Sequence, residues 1–383
     1  MSSKIIKINS LAIAIFLCFS CLQGVGQTKS KNKYQKQQFN TLEERSKMKY
    51  RFIPLPSYDP ATKFGLLLTN LFTYYPNKND TISPPTTTGI FLMGTTNGSW
   101  FTGVAQSTYL DHDKWRLNGF FGIGGINQTM TLGTLGDADS KKQLAAINID
   151  FQRNIGHQIF IGLRYSYRNI NITGRDDTSE DKLKQAGFTG RTISNGLGII
   201  GTADHRDNIF FPYHGFYVKY QGINYFANSK GKGTDNYFAN IIDYAHFFSL
   251  NEESSSILAY HFVGNFLSGD VTPENFSMYG HSRGGGMQRG YETGSHIDKN
   301  LVNLDIEWRK RTGLFKSRFG YTIFTGIGKV YGYYDDFKDA EWLPSIGVGA
   351  RYMILPYERL NVRFDTTYSK DGFGFYFGIR EAF

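Results

Sequence analysis

Along most of this chain apolar and polar positions alternate one by one. Ile159, Ile161, Leu163, Tyr165 and Tyr167 interleave with Phe160, Gly162, Arg164, Ser166 and Arg168. Val302, Leu304, Ile306 and Trp308 interleave with Asn303, Asp305, Glu307 and Arg309. Leu360, Val362, Phe364 and Tyr368 alternate with Asn361, Arg363, Asp365 and Thr367, and the last run sets Phe373, Phe375, Phe377, Ile379 and Phe383 against Gly374, Tyr376, Gly378 and Arg380. Successive strand residues face opposite sides, so a period of two predicts β-strands with unlike faces. The rule predicts strands over 50–57, 62–75, 86–97, 99–111, 114–125, 143–153, 157–172, 190–203, 214–227, 235–249, 255–268, 297–310, 315–331, 343–353, 356–369 and 373–383.

An antiparallel sandwich also alternates, but it buries its apolar set in a core. Here the opposite face carries Arg164, Arg168, Asp305, Glu307, Arg309, Arg351, Arg363, Asp365 and Arg380. Tyr and Phe recur near strand ends, as in the aromatic girdles of membrane barrels. The expected fold is therefore all-β, a 16-stranded antiparallel transmembrane β-barrel with lipid outside and a charged, wet lumen. A mean hydropathy of −0.36 does not oppose this, because only every second residue need be apolar.

With both termini periplasmic, alternate connections should be short. Asn154–Gly156, Asn251–Ser254, Thr312–Leu314 and Ile354–Leu355 fit as inside turns; Asn127–Lys142, Thr173–Thr189, Gly269–His296 and Gly332–Trp342 fit as long outside loops. Pro76–Pro85 is long where a short turn is expected.

The first residues change the picture at one end. Lys4 and Lys7 precede the apolar run Leu11–Leu17, and Gly24 and Gly26 precede Gln27, which reads as a signal peptide over 1–26. A lipoprotein reading with cleavage at Cys21 is weaker, because Cys18 and Phe19 make a poor lipobox. Cys18 and Cys21 are the two cysteines of the sequence, so the mature chain offers no disulfide or thiolate metal site. Residues 27–49 form a basic, polar leader, periplasmic or at the barrel mouth, with a short helix expected over Thr41–Lys49. The barrel is expected over 50–383, leaving no room for a folded periplasmic domain.

The net charge of +9 is spread along the chain rather than along a recognisable basic module, so no nucleic-acid partner is expected. The partners expected are outer-membrane lipid and lipopolysaccharide, polypeptide clients or other outer-membrane proteins; a homodimer is left open. No cofactor is called for, and eight scattered histidines show no metal-ligand spacing. Asp111-His112-Asp113 and His281-Ser282 invite a hydrolase reading. The triplet, however, falls in an inside turn where successive side chains diverge, and catalysis needs convergence.

Met278–Ser295, with Gly284-Gly285-Gly286, falls in the longest outside loop. No Lys-Ser or Lys-Thr follows the glycines, so it is not a phosphate loop. From Arg51 onward the chain resembles the BamA/TamA family of assembly and secretion barrels, the bacterial surface antigen superfamily. The resemblance rests on Gln288-Arg289-Gly290-Tyr291 after the glycines, and on Asp204-His205-Arg206-Asp207-Asn208 through Pro212 to Gly215. It rests also on Leu343–Gly349, which continues into Arg363 and Asp365, and on the aromatic end-signal with Phe375, Phe377 and Phe383.

The resemblance implies a loop folded into the lumen, with Arg289 paired to acids of the inner wall; Glu307 and Asp305 are the candidates, and Gly285, Gly286, Gly290 and Tyr291 shape the loop. Two departures stand out. Gln288 replaces an aliphatic residue, and Gly326 stands where the family's strand motif has an acid. The resemblance further implies a seam between first and last strands, weakened by Gly374 and Gly378, and a role in handling or inserting polypeptides rather than an enzymatic one. A passive channel or purely structural barrel is the alternative.

Overall fold

The computed structural model describes residues 6–7, 47–59, 63–132, 137–188, 190–229, 233–280, 288–291, 296–314, 318–356 and 359–383. Among them are sixteen long strands: β1 (Lys49–Asp59), β2 (Lys63–Tyr74), β3 (Thr86–Thr95), β4 (Trp100–Leu110), β5 (Trp115–Leu132), β6 (Asp137–Gly156), β7 (Ile159–Gly174) and β8 (Arg191–Asp204). They continue as β9 (Gly215–Ser229), β10 (Gly233–Ser249), β11 (Ser256–Gly269), β12 (Asn300–Arg311), β13 (Phe319–Tyr331), β14 (Leu343–Leu355), β15 (Leu360–Ser369) and β16 (Gly372–Ile379). Each pairs antiparallel with the next along the chain. The last strand lies beside the first. The architecture is a barrel.

Burial is inverted relative to a soluble protein. Leu163, Leu197, Ile199, Ile346, Val348, Phe373, Phe375 and Phe377 are exposed on the outer face. Arg164, Asp150, Glu307, Arg309, Arg351, Arg363 and Asp365 are buried on the inner one. Burying charge is costly unless it is paired. Arg164 accordingly donates to both oxygens of Asp150 at 2.9 and 3.0 Å. No described helix is long and apolar enough to cross a membrane, so spanning rests with the strands.

Several expectations need correction. The loop expected over Asn127–Lys142 is mostly strand: β5 runs to Leu132 and β6 starts at Asp137. In the Thr173–Thr189 loop, α1 (Asp177–Gln185) forms because Asp176 caps it, accepting from the Ser179 amide at 2.8 Å. The side chains of Leu183 and of Phe188, just beyond it, pack against Ile170 and Ile172 of β7. The helix expected over Thr41–Lys49 does not reach its end, since Lys49 already pairs with Thr73. The signal peptide and most of the leader lie outside the described residues.

The long turn 75–85 is a built element. Asp80 accepts from the Ser83 hydroxyl (2.6 Å), the Ser83 and Ile82 amides (2.9 and 3.0 Å) and the His112 amide (2.9 Å). Burial pushes this carboxyl upward, yet those bonds hold it well below the usual carboxylate range. The turn is thereby stapled to Asp111-His112-Asp113, whose three residues take left-handed backbone. Asp113 is committed to a two-pronged pair with Arg116 at 2.9 and 2.8 Å. The triplet is a structural corner.

Candidate functional site: the lumen loop and its arginine

The chain between β11 and β12 turns inward. Ser277–Tyr279 and His296–Asp298 pair as a short ribbon, with Tyr279 and Ile297 buried. From this ribbon Gln288-Arg289-Gly290-Tyr291 reaches the wall formed by β12–β16. Gly285, Gly286 and His281-Ser282 lie outside the described residues.

The wall is best seen as rungs of residues paired across the strands. Arg309, Thr322, Gly349, Asp365 and Tyr376 form one rung; Glu307, Phe324, Gly347, Thr367 and Gly374 form the next. Arg289 bridges the two. It donates to Asp365 at 2.7 Å and to Glu307, and its guanidinium lies 3.4 Å over the Phe324 ring. A planar fork with two carboxylates and an aromatic face beneath is a site only arginine fills well.

The glycines of the third sequence signature acquire a reason here. A Cβ at Gly347 would sit 2.4 Å from Phe324, and one at Gly349 would sit 2.0 Å from Asp365. Both positions must be bare for the Phe324 ring and the Asp365 carboxylate to stand where they do.

The rest of the loop is held as closely. Gly290, at φ +112°, donates to the Tyr376 hydroxyl at 2.8 Å, and the Ser369 hydroxyl donates to its carbonyl at 2.7 Å. Tyr291 donates to the Pro344 carbonyl at 2.7 Å. Gly374 clears the inner face for Tyr376: a Cβ there would meet that ring at 3.1 Å, as one at Gly378 would meet Arg363 at 3.0 Å.

Of the two candidate acids, Glu307 contacts Arg289. Asp305 does not; it accepts from Asn303 at 2.6 Å and lies near His261. The second acid is Asp365, which also takes Arg351 at 2.5 Å and Arg363 at 3.2 Å. Its inward register and its place in the third signature were the signals that could have singled it out. The two departures from the family pattern meet each other. Gln288 donates to the Gly326 carbonyl at 3.0 Å and to Ser345 at 2.8 Å, and a Cβ at Gly326 would come within 3.0 Å of it.

The turn signature closes the short-turn end. Asp204 chelates Arg206 at 2.9 and 2.7 Å. Asp207 accepts from the Tyr213 and His214 amides and, across the barrel mouth, from Arg359 at 2.5 Å. Asn208 caps the Phe210 and Phe211 amides at 2.8 and 2.9 Å. Pro212 is buried, and Gly215 sits at φ +102° with no room for a Cβ, which would lie 2.2 Å from the His205 carbonyl.

At the chain's last residues Phe375 and Phe377 face outward, but Phe383 departs from the alternation. The strand ends at Ile379, Arg380 takes φ +77°, and the tail turns inward. Glu381 pairs with Arg351 at 2.7 Å, and Phe383 stacks on His261 at 4.8 Å.

Fold and site together define an outer-membrane β-barrel with a lumen loop locked to its wall by one arginine. The Omp85 superfamily domain matches residues 103–383, and the chain belongs to that superfamily. In fold it is similar to BamA from Haemophilus ducreyi lacking POTRA domains 1-3, with a TM-score of 0.56 at 12% identity over 86% of this chain and 70% of that one. It is similar also to CdiB from Acinetobacter baumannii (0.54, 10%, 93% of this chain and 72% of that one) and to CdiB from Escherichia coli (0.55, 8%, 87% and 62%). No curated protein matches it in sequence.

Proposed function

We propose that this barrel handles polypeptides at the outer membrane, receiving an extended segment of another protein at the junction of β1 and β16. The observation that carries this reading is the thinness of that junction. β15 and β16 are in register from Val362–Ile379 to Ser369–Gly372, and β1 pairs with β2 along its whole length. Across β16 and β1, among the described residues, no extended register is defined, and the contact is much the slimmest in the ring.

In lipid an unpaired strand edge leaves amides and carbonyls without partners, each at a cost of several kcal/mol. A β-strand from a client satisfies them by augmentation. Gly374 and Gly378 deny the last strand inward side chains that would otherwise pack against its neighbours. The locked lumen loop argues against the channel alternative.

Depletion in the native host tests this. Levels and folding of other outer-membrane β-barrels should fall; unchanged levels and folding would contradict the proposal. Planar bilayers give a second readout, where a steady ohmic conductance favours the channel.

A further inference from the structure

At the short-turn end of the lumen, β12, β13 and β14 border a narrow cleft that opens to solvent. Arg309, Arg311, Arg318 and Arg351 line it, and no carboxylate side chain does. The register shows why they gather: Arg311, Gly320, Arg351 and Arg363 form one inward rung, with a glycine where a side chain would separate the first two arginines. Phe211 of the turn signature also lines the cleft.

Acids and guanidiniums at this end form one network. The Arg289, Arg309, Arg351 and Arg363 guanidiniums meet Glu307, Asp365 and Glu381, and Arg309 donates also to the Phe383 oxygen at 3.3 Å. Arg311 adds a fifth cation whose described polar partner is the neutral Tyr213 hydroxyl. Arg309 and Arg351 are 1% and 4% exposed. Among the described residues, Arg309 Nη1, Arg311 Nε and Arg351 Nη2 are buried donors without acceptors. Buried donors are nearly always satisfied. All three belong to arginines that line the same cleft, an observation independent of any charge count.

We propose that this cleft binds a phosphate-type oxyanion, held by Arg309, Arg311 and Arg351. Tetrahedral oxygens accept from several guanidinium forks at once, which a single chloride cannot do. The same chemistry is offered by free phosphate and by a phospholipid headgroup reaching the barrel rim. The site does not depend on the seam and would serve a passive barrel equally.

The test uses the full chain in a non-ionic maltoside, comparing thermal unfolding in sodium phosphate with sodium chloride at equal ionic strength. Phosphate should raise the midpoint saturably, and Arg311→Gln should weaken that binding about ten-fold. Arg318→Gln, at an exposed position, provides a second variant if the first fails to fold, and should weaken it several-fold. Dihexanoylphosphatidylglycerol, tested in parallel, separates the sources. A shift with the lipid alone identifies a headgroup, and a shift with phosphate alone a soluble anion; either supports the site. Equal shifts in chloride, or both variants binding like the parent, would overturn it.

Discussion

Arg289 is where sequence chemistry and lumen geometry meet. Replacing it with alanine leaves Glu307 and Asp365 buried with one fewer cation, although Arg309 and Arg351 remain beside them. Removing one partner of a buried pair typically costs about 3–5 kcal/mol, and these neighbours place R289A near the lower end. R289K keeps the charge but loses the fork and should cost about half as much; urea unfolding of liposome-embedded protein, followed by heat-modifiable gel migration, measures both. Gly326→Asp tests the paired departure. It restores the family's acid but drives a side chain into Gln288 and the Asp305 carboxylate, the latter 2.6 Å from the new Cβ. It should destabilise by roughly 2 kcal/mol alone. Adding Gln288→Val should recover part of that, since neighbours in contact couple by about 0.5 kcal/mol or more. Strictly additive effects would show that the two positions do not compensate.

At the scale of elements, the turn 75–85 is the clearest case for a pH experiment. The Asp80 carboxyl is held below its ordinary range by the bonds from Ser83, His112 and Ile82, so its contribution is complete above the unfolded value of about 3.9. It is lost only as pH falls through the lower folded value. Hydrogen exchange over 76–85 should therefore stay slow at pH 4.5. Asp80→Asn should speed it at pH 7, consistent with a loss of roughly 1–2 kcal/mol. This element marks a limit of sequence reading as well. Alternation placed the sixteen long strands because lipid and lumen impose unlike faces on successive residues. It could not place α1, whose nine residues depend on the Asp176 cap and on Leu183 finding the β7 wall. It extended the last strand through Phe383 because aromatic periodicity carries no sign of the inward bend at Arg380. Within the site, Glu307 was legible from its register. Asp365 was visible as an inward charge, but its role depends on which strands curve around the loop, and that is a property of the closed wall.

At the scale of the whole molecule, the barrel joins an ion-paired wall of β12–β15 to a thinly joined β16/β1 edge. Locking that edge separates structure from activity. A disulfide between one cysteine in Lys49–Asp59 and one in Gly372–Ile379 should leave the barrel folded and heat-modifiable. It should also abolish complementation of a depleted strain until a reductant is added. A locked protein that complements fully would place client handling elsewhere.

The most direct measurement is a photo-crosslinking amino acid at Phe52, which stands 51% exposed on the outer face of β1, in growing cells. Adducts with newly made outer-membrane β-barrel polypeptides, lost when the seam is locked, are the result predicted. Adducts confined to lipid, or unaffected by the lock, would contradict the account.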